Sequence, residues 1–376
     1  MKLGDVISVA NTEKCGNRTF PVLSMTMHDG LILQTDRFKK TIASKDLSNY
    51  KVVRRNQLVV SFPIDEGVLY IQDVTNAGIV SPAYAVWDVD TKIVRPRFLG
   101  MFLRCPMCIQ HYKAKLRGST ARRRTIPRED FLAMKIPTFT ITEQDRICLV
   151  LEKIESVIKT SGKQMQLLQH LVKSRFVEMF GENQEWERVG LLDVGKCKNG
   201  INFAPNECGY EIHCIGVGNF KDFAEISNVE STPLVSLSQR PSDDLLLRDG
   251  DMLFVRSNGN KSLVGRCVVV RPGDTEVTFS GFCIRYRVTL EKLDPFYLVH
   301  FLRQSQVRRL LQGRGANIQN MSQRTLAGLT IPLPPLALQR EFAAFVAKVD
   351  KLAFAARKRR DAAKQLYRAK IQEFFG

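Results

Sequence analysis

The residues of this chain best suited to chemistry are cations and amides set in short polar turns. Arg256-Ser257-Asn258-Gly259-Asn260-Lys261 is one such turn, and Gly313-Arg314-Gly315-Ala316-Asn317-Ile318-Gln319-Asn320 is another. Arg122-Arg123-Arg124 occupies the matching place to the latter in the first half of the chain. Lys39-Lys40 and Arg54-Arg55 are the nearest first-half counterparts of the former. Glycine lets the backbone approach a phosphate, a cation neutralises it, and Arg, Asn and Gln pair bidentately with base edges. The candidate contacts are therefore Lys39, Lys40, Arg54, Arg55, Arg122, Arg123, Arg124, Arg256, Asn258, Lys261, Arg314, Asn317 and Gln319. Any one cluster reads equally well as a solvated basic turn, and a basic proteome background is the bland account of the charge. Their recurrence in paired positions, on a chain of net charge +18 and pI near 9.6, points to DNA. The run Arg357 to Arg360 lies on a helical segment and reads instead as a solvated face or a docking surface for an acidic partner.

Motifs for catalysis are missing. There is no Gly-x-x-x-x-Gly-Lys-Ser/Thr loop to cradle a nucleotide, and no acidic residue followed by Pro-Pro and an aromatic to hold an exocyclic amine for methylation. Asp294-Pro295-Phe296 lacks the second proline and reads as a turn leading into a helix. Five histidines without a His-x-x-x-His pair argue against a zinc hydrolase, and no metal site is expected. Cys105-Pro-Met-Cys108 with His111 is a single CxxC, read as two semi-buried thiols beside a short helix. Nine cysteines without framework spacing suggest reduced thiols. With no secretory signal and no apolar run of membrane length, a cytoplasmic location is expected.

The elements that must position these turns come in duplicate. Gly118 to Gly181 overlays Gly313 to Gly376 without a gap, at a constant offset of 195 positions. Within that stretch, steps of 4 and 3 from Ile147 give Ile147, Leu151, Ile154, Ile158, Ser161, Met165, Leu168, Val172, Arg175 and Met179, a heptad-like seam. The same offset gives Phe342, Val346, Val349, Ala353, Ala356, Arg360, Ala363, Tyr367, Lys370 and Phe374, again mostly apolar. Two long helices are predicted, the first over roughly 142–180 and each about 60 Å long at 1.5 Å per residue. Thr142 with Asp145 resembles a capping box, Pro334-Pro335 can open the second helix, and Gly181 and Gly376 stand where a glycine cap belongs. Lone amphipathic helices would leave their stripes wet, and the Ala-rich second seam fits the bulkier first. The two are therefore expected to pair antiparallel across an internal two-fold. The segments before them read as mixed and strand-rich, with Leu58–Phe62, Met252–Val255, Val264–Val270 and Phe282–Leu290 as strands, and short helices at Phe102-Leu103-Arg104 and Phe301-Leu302-Arg303.

These regions resemble the type I restriction–modification specificity subunits. Leu326-Ala-Gly-Leu-Thr-Ile-Pro-Leu-Pro-Pro-Leu-Ala-Leu-Gln-Arg340, with the helix ending Phe374-Phe375-Gly376, is similar to that family's C-terminal conserved region. Met134-Lys-Ile-Pro137 through Gln144 to Ser174-Arg-Phe-Val-Glu-Met-Phe-Gly181 resembles its central one. Val189 to Gly200 resembles the opening of its second recognition domain, and Gly250–Arg256 with Val264-Gly265 that domain's inner strand. The chain departs from the pattern at Thr138-Phe139-Thr140, where the family has Leu-Pro-Pro. The resemblance implies an α+β architecture of two similar mixed target recognition domains, 1–137 and 183–332. They would be related by a pseudo-two-fold and separated by two long helices, 138–182 and 333–376, forming an antiparallel coiled coil. It implies a non-catalytic DNA reader, each domain taking one half of a bipartite asymmetric site and the coil setting the spacer. Half-sites about one turn apart (roughly 34 Å) would lie within reach of such a coil. Modification subunits would supply adenine methylation with S-adenosylmethionine, and motor-nuclease subunits would use ATP and Mg. The rivals are a self-contained methyltransferase or nuclease of unrecognised motif, and a sequence-neutral basic coiled-coil adaptor.

Overall fold

A computed structural model describes all residues except 28, 38–45, 118–124, 182–184, 205, 221–223 and 312–318. The chain is α+β and divides into two compact units. The first is Met1–Lys163 together with Ala356–Gly376, the second Gln164–Ala355.

In the first unit the sheet is made of β1 (Ile7–Val9), β3 (Leu58–Val60), β4 (Leu69–Ile71) and β6 (Ala85–Val89), in the antiparallel order β1-β6-β3-β4. A separate pair joins β2 (Lys51–Arg54) to β5 (Ala77–Val80). The helices α1 (Pro96–Leu103) and α2 (Pro106–Lys115) each open on proline, whose missing N–H is no loss in a first turn. They cover the sheet with Phe98, Leu99, Phe102 and Tyr112, all essentially inaccessible to solvent.

In the second unit β7 (Gly195–Asn199), β9 (Glu225–Ile226), β11 (Asp251–Val255), β13 (Cys267–Val270) and β15 (Cys283–Val288) form a sheet in the order β7-β15-β11-β13-β9. A second sheet has β10 (Leu234–Leu237), β8 (Tyr210–Ile215) and β14 (Val277–Phe279) in that order. The helices α4 (Pro295–Leu302) and α5 (Ser305–Leu311) follow. Asp294 caps α4 by accepting from Phe296 N at 2.7 Å, so the Asp-Pro-Phe run is the helix start expected of it.

The two long helices are α3 (Ile141–Phe180) and α6 (Leu336–Phe375). They pair antiparallel as a coiled coil. Tyr367 donates its hydroxyl to Glu155 at 2.7 Å, while Arg175 reaches Glu341 at 3.0 Å, so advancing along one helix retreats along the other. Every seam position named above is buried or half-buried. At the C-terminal ends the buried face advances by one residue, to Phe176 and Phe180 in α3 and to Ile371 and Phe375 in α6. An α-helix with 3.6 residues per turn drifts from a 3.5-residue repeat, and here the drift hands each helix end to a globular core. Phe375 packs edge-on against Phe98 and Phe102 at 5.5 and 5.6 Å, and Phe180 against Tyr297 at 4.8 Å. The last turns of the chain thus complete the core of its first unit.

The start of α3 corrects the expected capping box. The box is Thr140 with Glu143: Glu143 accepts from Thr140 N at 2.7 Å, and Thr140 Oγ1 accepts from Glu143 N at 3.3 Å. The helix begins two residues early so that Phe139 packs on Phe98 and Gln144 turns inward. Gly181 also differs from expectation, since it lacks a left-handed φ. Glycine is needed there because a Cβ would lie 2.5 Å from the Val177 carbonyl oxygen.

Candidate nucleic-acid interface

In the second unit β11 ends at Val255 and the chain enters the Arg256–Arg266 turn. Backbone bonds fix its base: Arg256 N donates to Phe282 O, and Met321 N to Arg256 O, both at 2.8 Å. The short strands β12 (Ser257–Asn258) and β16 (Gln319–Asn320) then pair, with Asn258 opposite Gln319 and Ser257 opposite Asn320. Asn258 Oδ1 accepts from Asn260 N at 2.8 Å and Asn260 Oδ1 from Ser262 N at 3.0 Å, side-chain turns that stiffen the tip. At its far end Gly265 has φ +70°, and a Cβ there would fall 2.9 Å from both Leu311 Cβ and Leu311 O. Arg308 closes the turn by donating to Ser262 O at 2.8 Å.

Two of the candidate clusters, some sixty residues apart in sequence, are therefore adjacent: Arg256, Asn258 and Lys261 on one run, and the backbone of Gln319 on the other. Arg314 and Asn317 lie outside the described residues, as does the Gln319 side chain. Arg256 and Lys261 have no carboxylate partner among the described residues. By contrast Lys198 is bound to Asp244, and Arg240 to Glu276 and Asp243. Burial pushes the Arg308 guanidinium below its ordinary range, and Arg266 and Arg303 add repulsion. Arg256, Lys261 and Arg308 thus bring three cations to one turn.

The first unit differs. Arg54, at the end of β2, is ion-paired to Glu13 at 3.2 Å, and Arg18 with Arg54 holds the Glu13 carboxyl below its usual range. Arg55 donates to Asn76 at 3.3 Å. Lys39, Lys40, Arg122, Arg123 and Arg124 lie outside the described residues. Arg117 and Thr125, on either side of that last run, form an antiparallel bridge.

Other sequence features resolve into structure. Cys105 and Cys108 are fully rather than partly buried, at 3% and 1% exposure. The Cys108 thiol holds Cys105 down to about 7, while that contact and burial push Cys108 up. Among the described residues no group of three or more His, Cys, Asp and Glu side chains is placed to hold a metal. Arg285 and Arg287 do not form an outward face of β15: Arg285 is 6% exposed and donates to Asp244 O, and Arg287 grips buried Asp251 through two bonds of 2.7 Å. Both faces of this strand are covered, so its arginines serve the core. Sequence reasoning did not single out Asn202, Phe282 or Asn320 as contacts, yet they stand about the Arg256 turn and are exposed. The one signal for them was a pair of glycines, Gly200 and Gly281, marking close approach of two turns.

Two like α+β units on an antiparallel coiled coil, one presenting a rigid cationic and amide-rich turn, define a recognition protein. Residues 183–363 match the family model for the type I restriction modification DNA specificity domain. The chain is 23% identical over 368 residues to the type I restriction enzyme MjaVIII specificity subunit of Methanocaldococcus jannaschii, covering 88% of this chain and 81% of that one. It is 29% identical over 171 residues to the StySPI specificity subunit of Salmonella potsdam, covering 44% of this chain and 35% of that one. Among solved structures, the S subunit of a type I restriction–modification system from M. genitalium superposes with TM-score 0.62 at 11% identity, over 100% of this chain and 95% of that one. A chain from a study of complex assembly and conformational transition in a type I system gives 0.56 at 17%, over 100% and 96%. Residues 183–363 are thus a type I restriction modification DNA specificity domain, and along its length the chain is similar to the specificity subunits of type I restriction enzymes, the non-catalytic DNA-recognition subunits of those systems.

Proposed function

We propose that this chain reads double-stranded DNA as a bipartite, asymmetric site. Residues 1–137 and 183–332 act as target recognition domains for one half each, and the paired helices set the spacer. The observation that carries this reading is the meeting of the Arg256–Lys261 turn with Gln319-Asn320 on a duplicated scaffold, with no carboxylate partner for Arg256 or Lys261 among the described residues. Arg256, Asn258, Lys261, Arg314, Asn317 and Gln319 are the proposed contacts of the second unit. Lys39, Lys40, Arg54, Arg55, Arg122, Arg123 and Arg124 are those of the first. Arg54 reaches a phosphate only by exchanging Glu13 for it.

Methylation and cleavage belong to partner subunits in this proposal: modification subunits with S-adenosylmethionine, and motor-nuclease subunits with ATP and Mg, in the cytoplasm. Support for protein partners on the coil comes from exposed apolar side chains that recur at the 195-residue offset, Val157 with Leu352 and Leu171 with Leu366. Selection of random duplexes by the full chain with its modification subunits tests the reading. Two sequence blocks at a fixed spacing are expected. A pool without base preference at any salt concentration would leave the sequence-neutral adaptor.

A further inference from the structure

We propose that Phe282 is an apolar base contact of the second unit, seated against the 5-methyl group of a thymine in the major groove. This rests on the DNA-reading function above. Phe282 is 60% exposed although Gly281 and Cys283 on either side of it are buried. A single exposed phenylalanine carries no meaning by itself. This one is tied to the cationic turn, because its carbonyl accepts from Arg256 N at 2.8 Å and from Ser257 N at 3.4 Å.

Its place is also fixed. Cys283 N donates to Ser280 O at 2.8 Å and Gly281 N to Ile201 O at 2.6 Å. A Cβ on Gly281 would collide with Asn202, and one on Gly200 with the carbonyls of Phe279 and Ser280, so two turns are locked together beneath the ring. Around it stand exposed Asn202 and Asn320, with Arg256, Asn258 and Lys261 on the adjoining turn. The first unit has an aromatic at the matching place: β3 and β6 pair Val60 with Ala85, as β11 and β15 pair Val255 with Cys283, so half-buried Tyr84 stands just before β6 as Phe282 does before β15.

The chemistry matches the major groove. Base edges there offer donors and acceptors, which Arg and Asn read, and one apolar group, the thymine methyl, which a phenyl ring reads. Burying one such carbon contributes about fourfold in affinity.

The test uses the full chain with its modification subunits and two random duplex libraries, one made with thymine and one with uracil. From thymine DNA the wild-type chain should prefer T over C by about fourfold at one position of one half-site. That preference should vanish in uracil DNA, and in thymine DNA with Phe282→Ala, while every other position keeps its preference. A preference that survives in uracil DNA overturns the proposal. So does a Phe282→Ala chain that keeps every preference, or one that loses all duplexes alike, as a wedge or a structural residue would. A wild-type pool with no motif overturns the DNA-reading function, and this proposal with it.

Discussion

The residues that most clearly betray the duplication are two buried glutamines. Gln144 accepts from Arg95 N at 2.7 Å and donates to Ile93 O at 3.1 Å and Phe139 O at 2.9 Å. Gln339, 195 positions on, accepts from Asp294 N at 2.8 Å and donates to Lys292 O at 2.9 Å and Pro334 O at 2.7 Å. Each amide ties the start of a long helix to the approach of a short one, and both are at most 2% exposed. Gln339→Leu keeps the volume and strands three backbone groups, so a loss of roughly 2–4 kcal/mol is expected from the denaturant midpoint. A variant as stable as the parent would show that other partners take over. His300 gives a pH-dependent counterpart. Burial holds it at about 3, down from 6.5, so the folded chain keeps a neutral imidazole where the unfolded chain binds a proton. The sign is therefore stability present above pH 6.5 and lost as pH falls toward 3, with a slope of order 1 kcal/mol per pH unit. His300→Phe, which still packs on Phe342, should flatten that slope in melts between pH 6.5 and 4.5. The glutamines were legible as matching letters in the repeat, but not their role, which depends on carbonyls some fifty residues upstream.

At the scale of elements, the coiled coil was legible because a seam at 3.5-residue spacing is local information. What sequence could not give was where each helix ends energetically. Phe374 fitted the heptad and Phe375 is the buried residue, because the last turns answer to Phe98 and Phe102 rather than to the partner helix. The same shift makes Phe180 the second unit's equivalent, against Tyr297. Phe375→Ala should cost about 3–5 kcal/mol. Hydrogen exchange should show that cost in α1 and the first sheet, while α4 keeps its protection. Equal loss in both would mean that the final turns do not belong to the first unit. The strand within Phe282–Leu290 was legible from its alternation, but the place of its arginines was not, because Asp251 and the carbonyls of Asp244 and Leu246, distant in sequence, receive Arg285 and Arg287 inside.

For the whole molecule, the spacer function makes a demand that helix geometry and duplex geometry meet only at certain lengths. Around residues 160 and 360, insertions made in both helices keep the antiparallel register. One heptad in each lengthens the coil by about 10 Å, at 1.5 Å per residue, with little rotation about its axis. Along DNA that distance is about 3 base pairs at 3.4 Å each. A half-site moved by 3 base pairs also turns by roughly 100°, since a full turn takes about 10–10.5 base pairs. A single heptad should therefore weaken binding at every spacer, because translation and rotation cannot both be satisfied. Three heptads add about 31 Å at 1.5 Å per residue, close to one duplex turn. Binding should return at a spacer about 9 base pairs longer, with both half-site sequences unchanged. The measurement is affinity across duplexes whose spacers step one base pair at a time. Binding that tolerates the original spacer with three heptads inserted would refute the coil as the element that sets it, and would leave the two recognition units reading their halves through a flexible connection.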